Sequence, residues 1–310
     1  MNIQHMLVVI DPTTEGAQPS LERARQLATH FPHARITLFI CDYNSALDGG
    51  IYLQDAALQK ARESLIEYRR QSLEKLAGPL RDRGIAVSLE VVWGKRLAKH
   101  ILSAVSTLRP DLVLKTTHHH NLLKRLLLSN SDWDLIRHCE VPVWLVKKAD
   151  DALARLGVSV DPLHEADKPA ALDQKLITCG QSLASHLTAE LDVLHCYNPL
   201  PRTLVFDASV INDYDGYAKD VRQRHAEAFD SLTASNAIAE TDRHLLQGYP
   251  EEAIPGYVAQ RRINLLIMGA ISRSRLDSAL IGHTAERLLD ECPCDVLVIK
   301  PDGFVDPSKP

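Results

Sequence analysis

The residues best suited to binding chemistry lie in the second half of the chain, where two glycines border a polar loop. Gly269 ends an apolar run, and Gly282 stands thirteen positions later, before a segment with helical spacing. Glycine lets the backbone approach a phosphate closely and tolerates positive φ. The N–H groups at a helix start, with the positive end of the helix dipole, favour an anion. Arg273 and Arg275 could supply mobile positive charge, so this segment predicts a phosphate-binding loop.

Asp161 is a second candidate for ligand binding, because it ends the first apolar strand of the same half. In an open parallel sheet, ligands sit beyond the carboxyl ends of the strands, where the strand order reverses. The Asp161 carboxylate could accept hydrogen bonds from a ribose hydroxyl or from adenine. Asp11 has the equivalent place in the first half, and each aspartate could equally cap the turn that follows it.

Motifs that would indicate an enzyme are absent from the sequence. There is no Gly-x-Ser-x-Gly elbow, no Walker loop, no His-Glu-x-x-His motif and no pair of carboxylates that spacing places together. We therefore predict no catalytic residues and, at most, a slow ATPase activity.

Two clusters have the side chains of a metal site. Three consecutive histidines begin at His118; neighbouring histidines cannot all point at one ion, so a solvated loop is favoured. Cys292-Pro-Cys294 is either a metal or redox pair or a pair of structural thiols. Its counterpart, Cys139-Glu-Val, keeps one cysteine, which favours the structural interpretation. We predict no metal site.

The composition is that of an ordinary globular protein. The 310 residues carry a net charge of −5, with 24% charged and 45% hydrophobic residues. This balance gives no basic stripe, so we expect no nucleic-acid partner. No apolar run approaches the roughly 18 residues of a membrane span, and the first residues lack the cationic region of a signal peptide. Six cysteines without disulfide spacing favour a cytoplasmic location.

The elements that must position the candidate residues are repeated along the chain. Asp111-Leu-Val-Leu-Lys115 matches Asn264-Leu-Leu-Ile-Met268, and the two segments are 153 positions apart. Val143-Trp-Leu-Val-Lys147 matches Val296-Leu-Val-Ile-Lys300 at the same offset. A period this long is too large for a solenoid and indicates two copies of a whole domain.

Each copy alternates apolar strands with amphipathic helices. This order predicts right-handed crossovers and a parallel sheet covered on both faces. The predicted fold class is α/β, with two tandem, doubly wound, five-stranded parallel sheets of Rossmann-like type. We assign residues 1–149 to the first domain and residues 150–310 to the second, with the linker at residues 148–154.

Seven short segments are shared with one known family, namely Val9-Ile-Asp-Pro12, Asp111-Leu-Val-Leu-Lys115, Asp132-Trp133, Pro142-Val-Trp144, Gly248 with Pro250-Glu-Glu252, Thr284-Ala-Glu286 and Leu297-Val-Ile-Lys-Pro-Asp302. Over essentially its whole length the chain resembles the tandem universal stress proteins, particularly the two-domain E-type of gammaproteobacteria. The resemblance implies an adenine nucleotide alpha hydrolase-like fold. Because single-domain members dimerise through their last strand, it also implies an intrachain pseudo-dimer in which residues 143–146 pair with residues 296–299; a further homodimer is possible.

Many members of that family bind ATP through a loop with the pattern Gly, two residues, Gly, nine residues, Gly, then Ser or Thr. Gly269 and Gly282 match the first and third glycines, whereas Ser272 replaces the second. His283 replaces the hydroxyl residue, although Thr284 follows it. The resemblance therefore implies ATP as a possible cofactor of the second domain alone. The candidate residues are Asp161, Met268, Gly269, Ser272, Arg273, Gly282, His283 and Thr284.

The first copy departs further from the ATP-binding pattern. No glycine remains at the equivalent positions, which are Thr116, His119, Ser129 and Asn130. We therefore expect that close backbone approach to a triphosphate is lost there. Ser131 and Asp134 have the spacing of a capping box for the helix that follows.

Three functions stay open from the sequence. The leading hypothesis is a cytoplasmic stress-response protein that binds an adenine nucleotide in its second domain and acts as a sensor or adaptor for an unidentified protein partner. The alternatives are a nucleotide-free module that binds another small molecule or a protein, and a slow nucleotide hydrolase or transferase.

Overall fold

The chain forms two compact units. One contains Asn2–Asp150 and Asp306, and the other contains Asp151–Val305 and Met1; they are called the first and second copies below. The computed structural model describes residues 1–14, 16–48, 55–117, 128–163, 171–199, 213–270 and 283–306, apart from the side chains of residues 55 and 283–286.

The first copy is a five-stranded parallel sheet with the strand order β3-β2-β1-β4-β5. The order reverses between β1 and β4, which creates the crevice that ligands use in doubly wound folds. Its elements are β1 (His5–Val9), α1 (Pro19–His30), β2 (Arg35–Asp42), α2 (Asp55–Arg81), β3 (Val87–Trp93), α3 (Leu97–Leu108), β4 (Leu112–Thr116), α4 (Asn130–His138) and β5 (Val143–Val146).

The second copy has the same topology, with the strand order β8-β7-β6-β9-β10. The prediction of an α/β fold with two five-stranded parallel sheets is therefore confirmed. Its elements are β6 (Arg155–Val160), α5 (Ala171–Leu187), β7 (Glu190–Tyr197), α6 (Tyr214–Ser235), β8 (Arg243–Gln247), α7 (Pro250–Arg261), β9 (Leu265–Gly269), α8 (His283–Glu291) and β10 (Asp295–Ile299).

The repeat extends to the backbone conformation at the helix ends. Arg109 follows α3 with φ 47° and Arg262 follows α7 with φ 56°, so both helices end in a left-handed residue at the same offset of 153. Gly84 and Ala237 repeat this after α2 and α6, with φ 80° and 53°. Left-handed residues commonly end helices, and three of these four positions carry a side chain that disfavours the conformation.

The strands form the core because they are nearly continuous apolar runs. All residues of β1, β5 and β10 are buried, as parallel strands covered on both faces require. The Trp144 side chain is fully buried on β5. None of the described helices is both long and apolar enough to cross a membrane.

One glycine sets how closely the first helix of the second copy approaches its sheet. A Cβ atom at Gly180 of α5 would lie 2.5 Å from Cγ2 of Val158 on β6 and 3.1 Å from Cδ1 of Leu191 on β7. The helix therefore rests directly on the central strands.

Candidate functional site

The candidate site lies at the carboxyl edge of the second sheet, at the point where the strand order reverses. Asp161 directly follows β6, and Met268 and Gly269 are the last two residues of the neighbouring strand β9. Ser159 and Met268 are paired in the register of these strands. The structure therefore brings Asp161, Met268 and Gly269 to one edge of the sheet, as the sequence predicts.

The remaining candidate residues belong to the loop and helix that follow β9. Ser272, Arg273 and Gly282 lie outside the described residues. His283 and Thr284 form the first turn of α8, whose backbone is described and whose side chains at these positions are not. The histidine run that begins at His118 also lies outside the described residues.

Gly269 has a packing role that does not depend on a ligand. A Cβ atom at this position would lie 2.8 Å from Cδ2 and 3.4 Å from Cγ of Leu172 on α5. A side chain here would therefore push against the helix that covers the sheet. This close approach accounts for one glycine of the proposed loop by core packing alone.

Asp161 is held by a carboxylate that the sequence analysis did not single out. Its backbone N–H donates to Oδ1 of Asp173, at 3.2 Å. Asp173 lies in the first turn of α5 and is 4% exposed. Two acidic residues therefore adjoin the end of β6. An acidic residue in the first turn of a predicted helix is the sequence signal that could have identified the second one.

A histidine pair adjoins the two aspartates. Nδ1 of His195 on β7 lies 3.2 Å from the carbonyl oxygen of Val160, and its Nε2 lies 2.8 Å from Nδ1 of His225 on α6. A carbonyl only accepts hydrogen bonds, so His195 donates through Nδ1 and accepts at Nε2. The two rings stack with their centroids 5.1 Å apart.

The electrostatics keep this histidine neutral near pH 7. Burial, the largest effect, lowers the pKa of His195 below its ordinary value of 6.5, although the charge of Asp161 and the hydrogen bond to Val160 act in the opposite direction. A histidine that directly follows the apolar residues Val193 and Leu194 of a predicted strand is the signal by which sequence reasoning could have found this residue.

In the first copy, the equivalent aspartate caps the turn that follows it. The carboxylate of Asp11 accepts hydrogen bonds from the backbone N–H and hydroxyl of Thr13, at 2.8 and 2.7 Å, and from the hydroxyl of Thr14, at 3.2 Å. The turn-capping alternative is therefore correct for Asp11. The positions equivalent to the threonines are Leu163 and His164, which have no hydroxyl group, so the two hydroxyl contacts of Asp11 have no counterpart at Asp161.

The start of α4 in the first copy is occupied by a buried ion pair. Nζ of Lys115 lies 2.7 Å from Oδ1 of Asp132, and these residues are 4% and 0% exposed. Oδ2 of Asp132 accepts hydrogen bonds from the backbone N–H and the hydroxyl of Ser129. A carboxylate of the protein therefore takes the place that an anionic ligand would need.

The capping box predicted at Ser131 and Asp134 is wrong by two residues. The box is formed by Ser129 and Asp132, because the helix begins at Asn130. Spacing alone fits both pairs. The buried Lys115 ammonium decides between them, since it requires a carboxylate at position 132.

Two cysteines at equivalent positions have the same structural role. The thiols of Cys41 and Cys196 donate to the carbonyl oxygens of Gly94 and Gly248, each at 3.2 Å. Burial raises the pKa of Cys41 to about 11 and that of Cys196 to about 12, so both stay protonated at neutral pH. Within the described part of the chain, no cluster of three or more His, Cys, Asp or Glu side chains could hold a metal ion.

Comparison with known proteins agrees with the repeat and the topology. Residues 2–147 and residues 155–300 each match the profile of the Universal stress protein family. The chain belongs to the universal stress protein family. It is similar to universal stress protein E of Photorhabdus laumondii, with 31% identity over 99% of this chain and 98% of that protein. It is also 31% identical to universal stress protein E of Escherichia coli K12, over 98% of this chain and 96% of the relative.

A solved structure supports the same tandem fold. The Pseudomonas aeruginosa protein PA1789, described as functionally unknown, aligns with a TM-score of 0.74 and 25% identity, over 97% of this chain and 93% of that one. The tandem universal stress protein arrangement is thus common to curated relatives and to a crystal structure. The resemblance to the E-type of gammaproteobacteria is confirmed.

Proposed function

We propose that this universal stress protein binds ATP or a related adenine nucleotide at the carboxyl edge of its second sheet and acts as a cytoplasmic sensor or adaptor. The observation that carries the proposal is the difference between the two equivalent helix starts. At α4 the anion-binding position is filled by Asp132, which is held by Lys115. The residues at the same offset in the second copy are Met268 and Ala285, and neither can supply a carboxylate or an ammonium group.

This difference leaves the start of α8 suited to an external anion. The first N–H groups of a helix have no partner within the helix, and the helix dipole is positive at that end. A phosphate there would supply the negative charge that Asp132 supplies in the first copy. Arg273 adds a cation to the same loop.

The nucleoside end of the ligand is assigned to the end of β6. Carboxylates accept hydrogen bonds from hydroxyl groups and repel phosphates, so Asp161 suits a ribose better than a phosphate. Asp173 and the neutral His195 adjoin it. Met268, at the end of β9, is 7% exposed and offers an apolar contact for a base.

A sensor or adaptor is proposed in preference to an enzyme. Nucleotide hydrolysis requires a positioned base and usually a divalent ion held by carboxylates. Of the carboxylates that the described residues place near this edge, we assign Asp161 to the ribose. Asp173 accepts a hydrogen bond from the Asp161 backbone N–H, and Glu251 pairs with Arg287 at 3.6 Å. Bound ATP is therefore expected to persist, and signalling would then pass to a protein partner.

Calorimetric titration of the purified full chain with ATP tests the proposal. Gly282→Val should abolish measurable binding, because a branched side chain would occupy the space between a phosphate and the helix start. The matched change in the first copy, Ser129→Val, should leave the affinity within about twofold, once circular dichroism has shown that both variants are folded. Absence of ATP binding in the wild type, or equal losses in the two variants, would contradict it. ATP turnover above about 1 s⁻¹, the low end of ordinary enzymes, would favour the hydrolase.

A further inference from the structure

Two buried thiols meet at the junction between the last helix and the last strand of the second copy. Cys292 follows α8, and its backbone N–H donates to the carbonyl of Leu288 at 2.9 Å. Cys294 directly precedes β10. The Sγ atoms of the two residues are 3.5 Å apart, so the sulfur atoms are in van der Waals contact.

The geometry favours closure of a disulfide between them. An S–S bond is about 2.05 Å long, so the sulfur atoms need to approach by about 1.5 Å. The single residue between them keeps the Cα atoms within roughly 7 Å of each other, which is the upper limit of the separation that a disulfide spans. Pro293 fixes its own φ and so restricts the turn.

The two thiols differ in their access to solvent. Cys292 is 0% exposed and Cys294 is 8% exposed. Pro293, between them, is exposed and lines a cavity of about 670 Å³ at the amino-terminal edge of the second sheet. Because Cys294 keeps some exposed surface and Cys292 has none, a small oxidant would meet Cys294 first.

We propose that Cys292 and Cys294 form a reversible redox site that a hydroperoxide oxidises to an intrachain disulfide. The Cys294 sulfur attacks one peroxide oxygen as its thiol proton is lost. The O–O bond breaks, an alcohol or water leaves, and a sulfenic acid remains. The Cys292 sulfur then attacks the Cys294 sulfur, the S–O bond breaks, and water leaves. The two thiols lose two electrons and two protons, and the peroxide gains them.

The repeat supplies a control within the same molecule. Cys139 ends α4 as Cys292 ends α8, and it is also buried. Val141 stands at the position equivalent to Cys294, so the first copy has no second thiol at this place. The same peroxide treatment should therefore leave Cys139 a thiol.

Peptide mass spectrometry of the full chain tests the proposal. The protein is treated with hydrogen peroxide, denatured, alkylated with N-ethylmaleimide and digested with trypsin. Because trypsin does not cleave before Pro301 or Pro310, residues 288–310 form one tryptic peptide, which contains these two cysteines and no other. We expect this peptide to escape alkylation, to be lighter by two hydrogen atoms than the reduced peptide, and to become alkylatable again after treatment with dithiothreitol.

Two variants make the outcome decisive. Cys294→Ala should abolish the loss of two hydrogen atoms and leave Cys292 alkylatable, whereas Cys139→Ala should behave as the wild type; urea unfolding confirms that both are folded. The proposal is overturned if both thiols of the wild-type peptide remain alkylatable after peroxide. It is equally overturned if they become over-oxidised without a disulfide, or if either pairs with another cysteine.

Discussion

Two side chains form a buried ion pair at the start of α4 in the first copy. Lys115 and Asp132 are both buried, and their charges are joined by a contact of 2.7 Å. Removing two charges from water is costly, so such a pair adds little net stability compared with apolar residues. By the same argument, the loss of one partner should strongly lower the free energy of unfolding, because it leaves a buried charge uncompensated.

Asp132→Ala should therefore lower the free energy of unfolding of the first copy by about 3–5 kcal/mol. The double variant Lys115→Met/Asp132→Ala reproduces the residues of the second copy, Met268 and Ala285. It should be clearly more stable than Asp132→Ala alone, with a remaining loss of about 1 kcal/mol from the missing helix cap.

Urea unfolding followed by circular dichroism measures these differences. The exposed pair of Arg81 and Glu74, with side chains 41% and 51% exposed, provides the control: Glu74→Ala should cost less than about 1 kcal/mol. If the double variant were no more stable than Asp132→Ala, the residual Lys115 charge would not be the cause of the loss.

His195 should make the second copy less stable in mild acid. Burial lowers the pKa of His195 below 6.5 in the folded chain, so the unfolded chain binds the proton more readily. The stabilising contribution is fully present above pH 6.5 and is lost as the pH falls towards the lowered pKa, at no more than about 1.4 kcal/mol per pH unit.

Urea unfolding at several pH values between about 7.5 and 5.5 checks this contribution. Burial also lowers the pKa of His5 and of His244, so His195→Gln should reduce the wild-type slope without removing it. The exposed substitution His33→Gln controls for the loss of one imidazole. An unchanged slope in His195→Gln would show that His195 is protonated in the folded chain as easily as in the unfolded chain.

At the scale of elements, two helical glycines in the second copy have opposite surroundings. A Cβ at Gly180 of α5 would lie 2.5 Å from Val158, whereas a Cβ at Gly256 of α7 would have nothing within 4 Å. Gly180→Val should therefore destabilise the second copy by about 1–3 kcal/mol through overpacking. Gly256→Ala should stabilise it by up to about 1 kcal/mol, because alanine is the better helix former.

Thermal unfolding of the two glycine variants tests how α5 rests on its sheet. The two substitutions each add a side chain to a helix, and the prediction requires that they change the melting temperature in opposite directions. A stable Gly180→Val protein would mean that α5 can move away from β6 at little cost. Since α5 also carries Asp173, such movement would displace one side chain of the candidate site.

The sequence pattern predicted the order of helices and strands, whereas the start of α4 and the contact between Asp161 and Asp173 depend on tertiary structure. The repeat and the family resemblance predict a last strand at residues 143–146, where β5 is observed. The start of α4 was predicted two residues late, because two serine–aspartate pairs fit the same local rule and the buried Lys115 selects one of them. No local pattern relates Asp173 to Asp161, since the crossover of the fold brings these two residues together.

At the scale of the whole molecule, duplication has allowed the copies to diverge at both ends of one helix while keeping their topology. The first copy fills its helix start with Asp132, and the second has Ala285 there. The second copy has two thiols where the first has Cys139 and Val141. One copy can thus maintain the fold with its own charges while the other carries the sites proposed for ligand and oxidant.

The placement of the two copies relative to each other stays a prediction from the sequence: an intrachain pseudo-dimer through β5 and β10. The carbonyls of Pro142 and Val146 accept hydrogen bonds from the β4 side. Since alternate residues of a parallel strand bond to the same neighbour, the amides of Val143 and Leu145 point to the other side of β5. In β10, the backbone N–H of Asp295 and the carbonyl of Ile299 form hydrogen bonds on the β9 side. By the same reasoning, the amides of residues 296 and 298 point away from β9.

Hydrogen exchange of these four amides, followed by NMR on the full chain, tests the arrangement. If the two strands pair, all four amides should exchange as slowly as their neighbours in the same strands, because each would have a backbone acceptor. An apolar edge left without a partner is an association hazard, so protection is the expected result at concentrations where the chain is monomeric. Fast exchange at Val143 and Leu145 beside slow exchange at Trp144 and Val146 would place β5 at an open edge and exclude the pseudo-dimer.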